Sequence, residues 1–204
     1  MQNNNLLKKA ILALLLCVAM PCLNAQVAHV GDILCEGDLI VSPANYNANT
    51  HTAIGVVFYV DNTGQHGWAV ALEDAGSYSM QMHGTPLPNY GDKRQAIHDL
   101  DGYENTSILR ESHSAFNAVD FVDGYYVPTI GQWNYLYGNL LEVNSSLSRI
   151  GGCVFELGSW EYWSSTEASD VHYWYLNSSG ELNGWYVFTN HWSPSRRIRA
   201  ARNF

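Results

Sequence analysis

The chain has 204 residues, 47% of them hydrophobic, and its 10 basic residues face 19 acidic ones for a formal net charge of −9. That length suits one domain with a sizeable core. An acidic balance of this size repels phosphate backbones and acidic membrane surfaces, which excludes nucleic acid as an expected partner.

The first residues read as an export signal. Lys8 and Lys9 form a short positive region, Ala10 to Met20 an apolar run too short to span a bilayer, and Ala25 precedes Gln26 at a cleavage point. The expectation is a signal peptide over residues 1–25 and a single domain over residues 26–204, exported and without a membrane span. Cys22 follows Pro21 and Cys17 follows Leu16, whereas a lipidated cysteine wants a small residue before it, so simple cleavage is the expected processing. With both leader lysines removed, eight basic residues stand against 19 acidic ones, a formal charge of −11. Only Cys35 and Cys153 then remain; an oxidising compartment permits one bridge, and the reading favours two free, buried side chains.

Ile33 to Cys35 and Leu39 to Val41, split by Gly37, read as an opening strand or hairpin. Residues 42–52, rich in Asn, Ala and Thr, read as a loop. Ala53 to Val60 and Gly67 to Leu72 flank a polar turn at residues 61–66 and form a hairpin. Residues 73–102 hold Gly84, Pro86, Pro88 and Gly91 without any period, so they read as a long surface excursion, with a packed connection as the alternative. From Thr106, capped by Asn105 or Thr106, the positions Ile108, Leu109, Phe116 and Val119 recur at helical spacing. A second helix starts at Thr129, where Thr129 and Gln132 have capping-box spacing. Its apolar stripe runs Trp133, Leu136, Tyr137, Leu140, Leu141, Leu147, with a bend near Gly138 and an end at Gly151-Gly152. Short aromatic-rich strands follow at Cys153 to Leu157, Tyr173 to Leu176, Leu182 to Phe188 and Arg196 to Arg202. The expected class is α+β: two helices packed on short antiparallel strands with long loops, the first and last strands meeting.

Three blocks carry a resemblance to a known family. They are Val127 to Trp133, then Tyr162-Trp163-Ser164-Ser165-Thr166-Glu167, then Ile198-Arg199-Ala200-Ala201-Arg202-Asn203-Phe204. In that order they resemble the bacterial Lcl carboxy-terminal family, also met as the Fibrobacter-type paralogous domain, with its pattern W-x-L-P-S-x-x-E-[WL], Y-W-S-S-T-E and V-R-A-V-R-x-F. Gln132 departs from it where an acidic residue is usual, and Gly31 to Leu34 and Ala53 to Val60 extend the likeness towards the amino terminus. The resemblance implies a C-type-lectin-like fold, related to formylglycine-generating-enzyme-like domains. It also implies that Trp163 is core framework, that the adjacent hydroxyls bond loop backbone, and that Arg199 and Arg202 belong to a closing strand. An arginine fork against Glu167 is expected there.

The chain shows no His-Glu-x-x-His helix, no Gly-x-Ser-x-Gly elbow, no phosphate-cradling loop and no paired-cysteine knuckle. Its eight histidines are scattered without ligand spacing, and neither Glu-Pro-Asn nor Gln-Pro-Asp occurs to hold calcium and a sugar. No catalytic residue, metal or cofactor is therefore expected. Residues 168–197 instead combine Tyr, Trp, Asn and Ser, as antibody-like binding surfaces do. Alternation places Trp174, Leu176, Leu182 and Phe188 inside. That leaves Tyr173, Tyr175, Asn183, Trp185, Asn190, His191 and Trp192 as candidate ligand-binding residues.

The expected function is an exported, non-enzymatic binding domain of a Gram-negative cell envelope, in the periplasm or at the surface. It would contact a glycan or protein ligand through its carboxy-terminal loops. The alternative is a structural or adhesive subunit of a surface assembly such as a fimbria. Some relatives of the resembled fold are variable proteins of diversity-generating retroelements, and the segment bracketed by Glu167 and Ile198 has the layout that use needs. An ordinary binding loop has the same layout.

Overall fold

The computed structural model describes residues 27–79, 85–156, 158, 161–170, 172–177 and 195–204. The leader over residues 1–25 and the strand expected at Leu182 to Phe188 lie outside them.

The chain folds as α+β around two sheets. Strands β1 (Ile33–Cys35), β2 (Leu39–Val41), β3 (Ala53–Val60), β4 (Gly67–Ala71), β6 (Tyr125–Tyr126) and β10 (Ala201–Asn203) make the first, in the order β2-β1-β3-β4-β10-β6 with every pair antiparallel. The second holds β5 (Gly76–Tyr78), β9 (Arg196–Ile198), β7 (Glu161–Ser169) and β8 (His172–Asn177), and its β7–β9 pair is parallel. The last strand thus pairs with β4 and β6, and does not meet the first.

The two amino-terminal hairpins form where turn chemistry places them. Gly37 takes a left-handed φ of 74° between β1 and β2. In the β3–β4 turn the Asp61 carboxylate accepts from the Thr63 and Gly64 amides and from the Thr63 hydroxyl, and the Ala28 amide donates to Gly64 O at 2.8 Å from outside the turn.

The described residues of the long stretch after β4 are mostly exposed, as a surface excursion requires, and Leu87, Ala96 and Asp99 anchor it to the fold. The stretch contributes β5, a one-turn helix α1 (Lys93–Ala96) and the buried Asp99. The following helix, α2 (Gly102–Ser112), starts earlier than periodicity indicates, because Asp101 caps it by accepting from the Glu104 amide. A 3-10 turn at Ser114–Ala118 then carries Phe116 into the core. Thr106 sits inside the helix and serves the tertiary structure: its hydroxyl accepts from the Val127 amide at 2.9 Å.

Helix α3 (Ile130–Gly138) has the expected capping box, with the Gln132 amide donating to the Thr129 hydroxyl and the Thr129 amide to the Gln132 side chain. Asn139 separates it from α4 (Leu140–Ile150), which ends on Gly151 in the left-handed conformation. The buried stripe keeps its helical spacing through Asn139, from Trp133 and Leu136 to Leu140, Val143 and Leu147, so Leu141, one residue off that stripe, is 83% exposed. Residues 153–156, expected as a strand, are irregular. Phe155 exchanges its backbone hydrogen bonds with the Asn144 side-chain amide, which satisfies it without a partner strand.

One cluster fills the space between α3, α4 and the sheets, with Phe58, Val70, Trp133, Leu136, Val143, Phe155, Tyr162 and Trp174. A second, with Leu109, Phe116, Val127, Trp163, Tyr173, Tyr175 and Ile198, lies on the other face of the second sheet. Trp163 is 1% exposed, donates its indole N–H to Tyr78 O at 2.8 Å and accepts at its own carbonyl from the Trp133 indole. Trp163→Ala should therefore cost about 3–5 kcal/mol in denaturant melts, the usual range for deleting a core aromatic. A loss below about 1 kcal/mol, typical of surface sites, would remove Trp163 from the core.

Cys35 is buried and Cys153 half-buried, both free, and burial raises the Cys35 thiol above its ordinary range. The exported chain, unfolded without reductant, should take up two equivalents of a thiol reagent; uptake only after reduction would reveal a bridge.

Candidate functional site

The carboxy-terminal segment that carries the expected binding residues is held on a built stem. Residues 178–194 leave β8 after Asn177 and return through Ser195 to Arg196 in β9, and both strands pair with β7. Glu161 at the start of β7 clasps the two ends: its Oε1 accepts from the Asn177 side chain at 3.3 Å and its Oε2 pairs with Arg196 Nε at 3.0 Å. The Arg196 guanidinium is wholly buried, 3.7 Å from the Tyr175 ring centroid and 4.5 Å from that of Trp163. A cation held against two aromatic faces and a carboxylate gives the stem a single geometry.

The candidate residues divide between the stem and the segment it holds. Asn183, Trp185, Asn190, His191 and Trp192 lie outside the described residues, as do Leu182 and Phe188 of the expected interior set. Tyr173 and Tyr175 were expected to be exposed, and each is only 1% exposed. Alternation along β8 is real, with Trp174 and Leu176 facing one cluster and Tyr173 and Tyr175 facing the other. Both faces are covered because α2 and the 3-10 turn pack where solvent was expected, and a strand buried on both sides has no outward set.

Tyr173 belongs to a buried polar group. Its hydroxyl donates a short hydrogen bond to Glu167 Oε1, which also accepts from the Thr85 hydroxyl at 2.6 Å. The His113 ring lies against the same tyrosine oxygen at 3.1 Å. Among the described residues, Glu167 Oε2 has no hydrogen-bond partner. The expected arginine fork against Glu167 does not form. Arg199, between β9 and β10, instead donates to Asp74 at 2.6 Å, and Arg202 of β10 donates to Asp38 in the β1–β2 turn at 2.9 Å.

The hydroxyls of the Tyr162 to Glu167 block are committed to framework. Ser164 donates to Trp174 O, Ser165 to Val127 O, and Thr166 to Asp99 Oδ2 while accepting from the Ile130 amide at the start of α3. Asp99 also accepts from Asn105, so one carboxylate ties the excursion, α2 and β7 together. Among the described residues, no group of three or more His, Cys, Asp or Glu side chains converges to hold a metal ion. An open cavity of about 400 Å³ lies at the far end of the first sheet, between Leu39, Ile40 and Phe204 with Gln65 and His66 at its rim. No candidate residue among those described lines it.

Glu161, Asp74 and Asp99 lie in segments without a period, so nothing in the sequence sets Asp74 and Asp99 apart from other acids. Glu161 alone has a usable signal, its position immediately before the aromatic-hydroxyl block.

No family model matches the chain, and no curated protein matches it. Among solved structures, its fold is similar to that of a fimbrial protein from Bacteroides ovatus, at 17% identity and a TM-score of 0.57, over 86% of this chain and 49% of that one. The chain thus spans about half the length of that protein, and the likeness is one of fold.

Burial pushes the Glu167 carboxyl above the usual carboxylate range, against the lowering effect of its bonds from Thr85 and Tyr173. The folded state then keeps the proton to higher pH than the unfolded chain. This contribution to stability is full below the unfolded pKa, about 4.3, and is lost as pH rises through the folded value. Wild-type protein should gain stability relative to Glu167→Gln as pH falls from 7 to 5, measured by paired denaturant melts. A pH-independent difference would show that Glu167 titrates normally.

Proposed function

We propose that the chain is an exported subunit of a surface assembly such as a fimbria, structural or adhesive in role. The observation that carries this reading is the likeness of fold to a fimbrial protein over 86% of the chain. Three features of the chain are consistent with it. The leader pattern at residues 1–25 directs export. No described helix is long and apolar enough to cross a membrane. The hydroxyls of the Tyr162 to Glu167 block are spent on internal hydrogen bonds, as suits a scaffold. In this reading the domain is C-type-lectin-like, akin to the Lcl carboxy-terminal family its three blocks resemble, and has no enzymatic activity.

A second reading stays beside the first because the clasped stem favours it. A polar and aromatic segment mounted on Glu161 and Arg196 is how a rigid scaffold presents a binding loop, and its ligand would be a glycan or a protein at the envelope. The two readings meet in an adhesive subunit. Epitope-tagged chain, expressed in a Bacteroides host and fractionated, should co-sediment with sheared surface appendages. Recovery only as a soluble periplasmic species would sink the assembly reading. Within the segment, Trp185→Ala with Trp192→Ala should abolish adhesion while leaving the melting transition in place; a variant that folds and adheres as before would sink the binding role of the segment.

A further inference from the structure

Three stretches of the chain, residues 39–60, 62–72 and 124–141, contain no Asp, Glu, Lys or Arg. The fold brings one aromatic from each of them together. Tyr59 on β3 stacks on Trp68 of β4 with ring centroids 4.2 Å apart, and Tyr135 of α3 meets both edge-on, at 4.7 Å and 5.6 Å. Tyr135 is 39% exposed, and Tyr59 and Trp68 are half-buried. The Asn139 amide fixes the platform from below, donating to Phe58 O and Tyr135 O at 3.0 and 3.1 Å.

We propose that this face pairs with the same face of a second copy of the chain, about a two-fold axis. The choice of occupant follows from charge. Copies of a chain with a formal charge of −9, or −11 once Lys8 and Lys9 are removed with the leader, repel one another. In a two-fold contact every residue near the axis also meets its own kind, so a charged residue there faces its own sign. A self-contact is therefore admitted where charge is absent, and this face is where three charge-free stretches converge. Its composition matches an interface centre, in which aromatics are enriched and charged residues depleted. A second surface aromatic pair among the described residues, exposed Tyr103 stacked on half-buried Phe121 at 4.5 Å, lacks this character. Arg110 lies 4.7 Å over the Phe121 ring, and Glu104, Asp120 and Asp123 flank the pair in sequence.

The pairing goes beyond the surface-assembly reading and stands or falls separately from it. The chain is expressed with its leader, recovered after export, and followed by sedimentation equilibrium over a wide concentration range. Wild-type protein should show a monomer–dimer equilibrium. Tyr135→Asp should weaken it at least about tenfold, as expected for a charge placed at an interface centre. Tyr103→Asp, an equally exposed aromatic elsewhere, should leave it unchanged. Tyr135→Ser replaces the aspartate variant if that protein's melting transition is lost. Wild-type protein that stays monomeric throughout overturns the pairing, as does dimerisation that Tyr135 substitution leaves intact. A monomer whose tryptophan fluorescence is saturably quenched by maltohexaose, a neutral glucan, overturns it in favour of a sugar on the same face.

Discussion

The structure turns on the corner where its two sheets join, and that corner is held by Asp74. The segment from Gly67 to Tyr78 runs antiparallel to that from Arg196 to Asn203, and the pairing passes from β4–β10 in one sheet to β5–β9 in the other. At the crossing, Asp74 receives Arg199 Nε at 2.6 Å, Arg197 at 3.2 Å and the Tyr162 hydroxyl at 2.8 Å. The Arg199 side chain is fully buried and its guanidinium also donates to Cys153 O at 2.6 Å and lies 4.3 Å from the Phe155 ring centroid. A buried cation is tolerable only when paired and hydrogen-bonded, and removing one partner strands the other. The acid of one ribbon strand and the arginines of the other therefore set how the sheets meet.

From that corner the remaining order propagates along β7. Its first residue, Glu161, clasps the ends of the carboxy-terminal segment, Tyr162 reaches Asp74, and Thr166 reaches Asp99 and the start of α3. Nearly every side chain of this strand is buried and most of its polar atoms are committed, which is the cost of joining two cores through one strand. The framework thereby fixes both ends of residues 178–194, at Asn177 and at Arg196.

Much of this was legible locally. Gly37, the Asp61 turn, the Thr129–Gln132 capping box and Gly151 each determine their own element through hydrogen bonds within a few residues, and each element lies where the sequence places it. What depended on distant partners was not legible. The strand expected after Gly152 is replaced by an Asn144 side-chain pairing, and even the local Asp101 cap of α2 lies ahead of the apolar positions that mark the helix. In each case a residue satisfied its backbone with a partner that periodicity does not report.

The candidate site shows the same boundary. Period-2 alternation along β8 is a property of any strand and correctly separates Tyr173 and Tyr175 from Trp174 and Leu176. Whether the second set meets water depends on what packs there, and α2 with Phe116 covers it. Asp74 and Arg199 are 125 residues apart, and nothing in either neighbourhood announces the pair. The sequence by itself determined the elements whose stabilising bonds are local, the acidic balance and the aromatic-hydroxyl block. The tertiary structure alone decided which faces are buried and which charges meet, because burial and pairing belong to contacts between segments that the order of residues does not record.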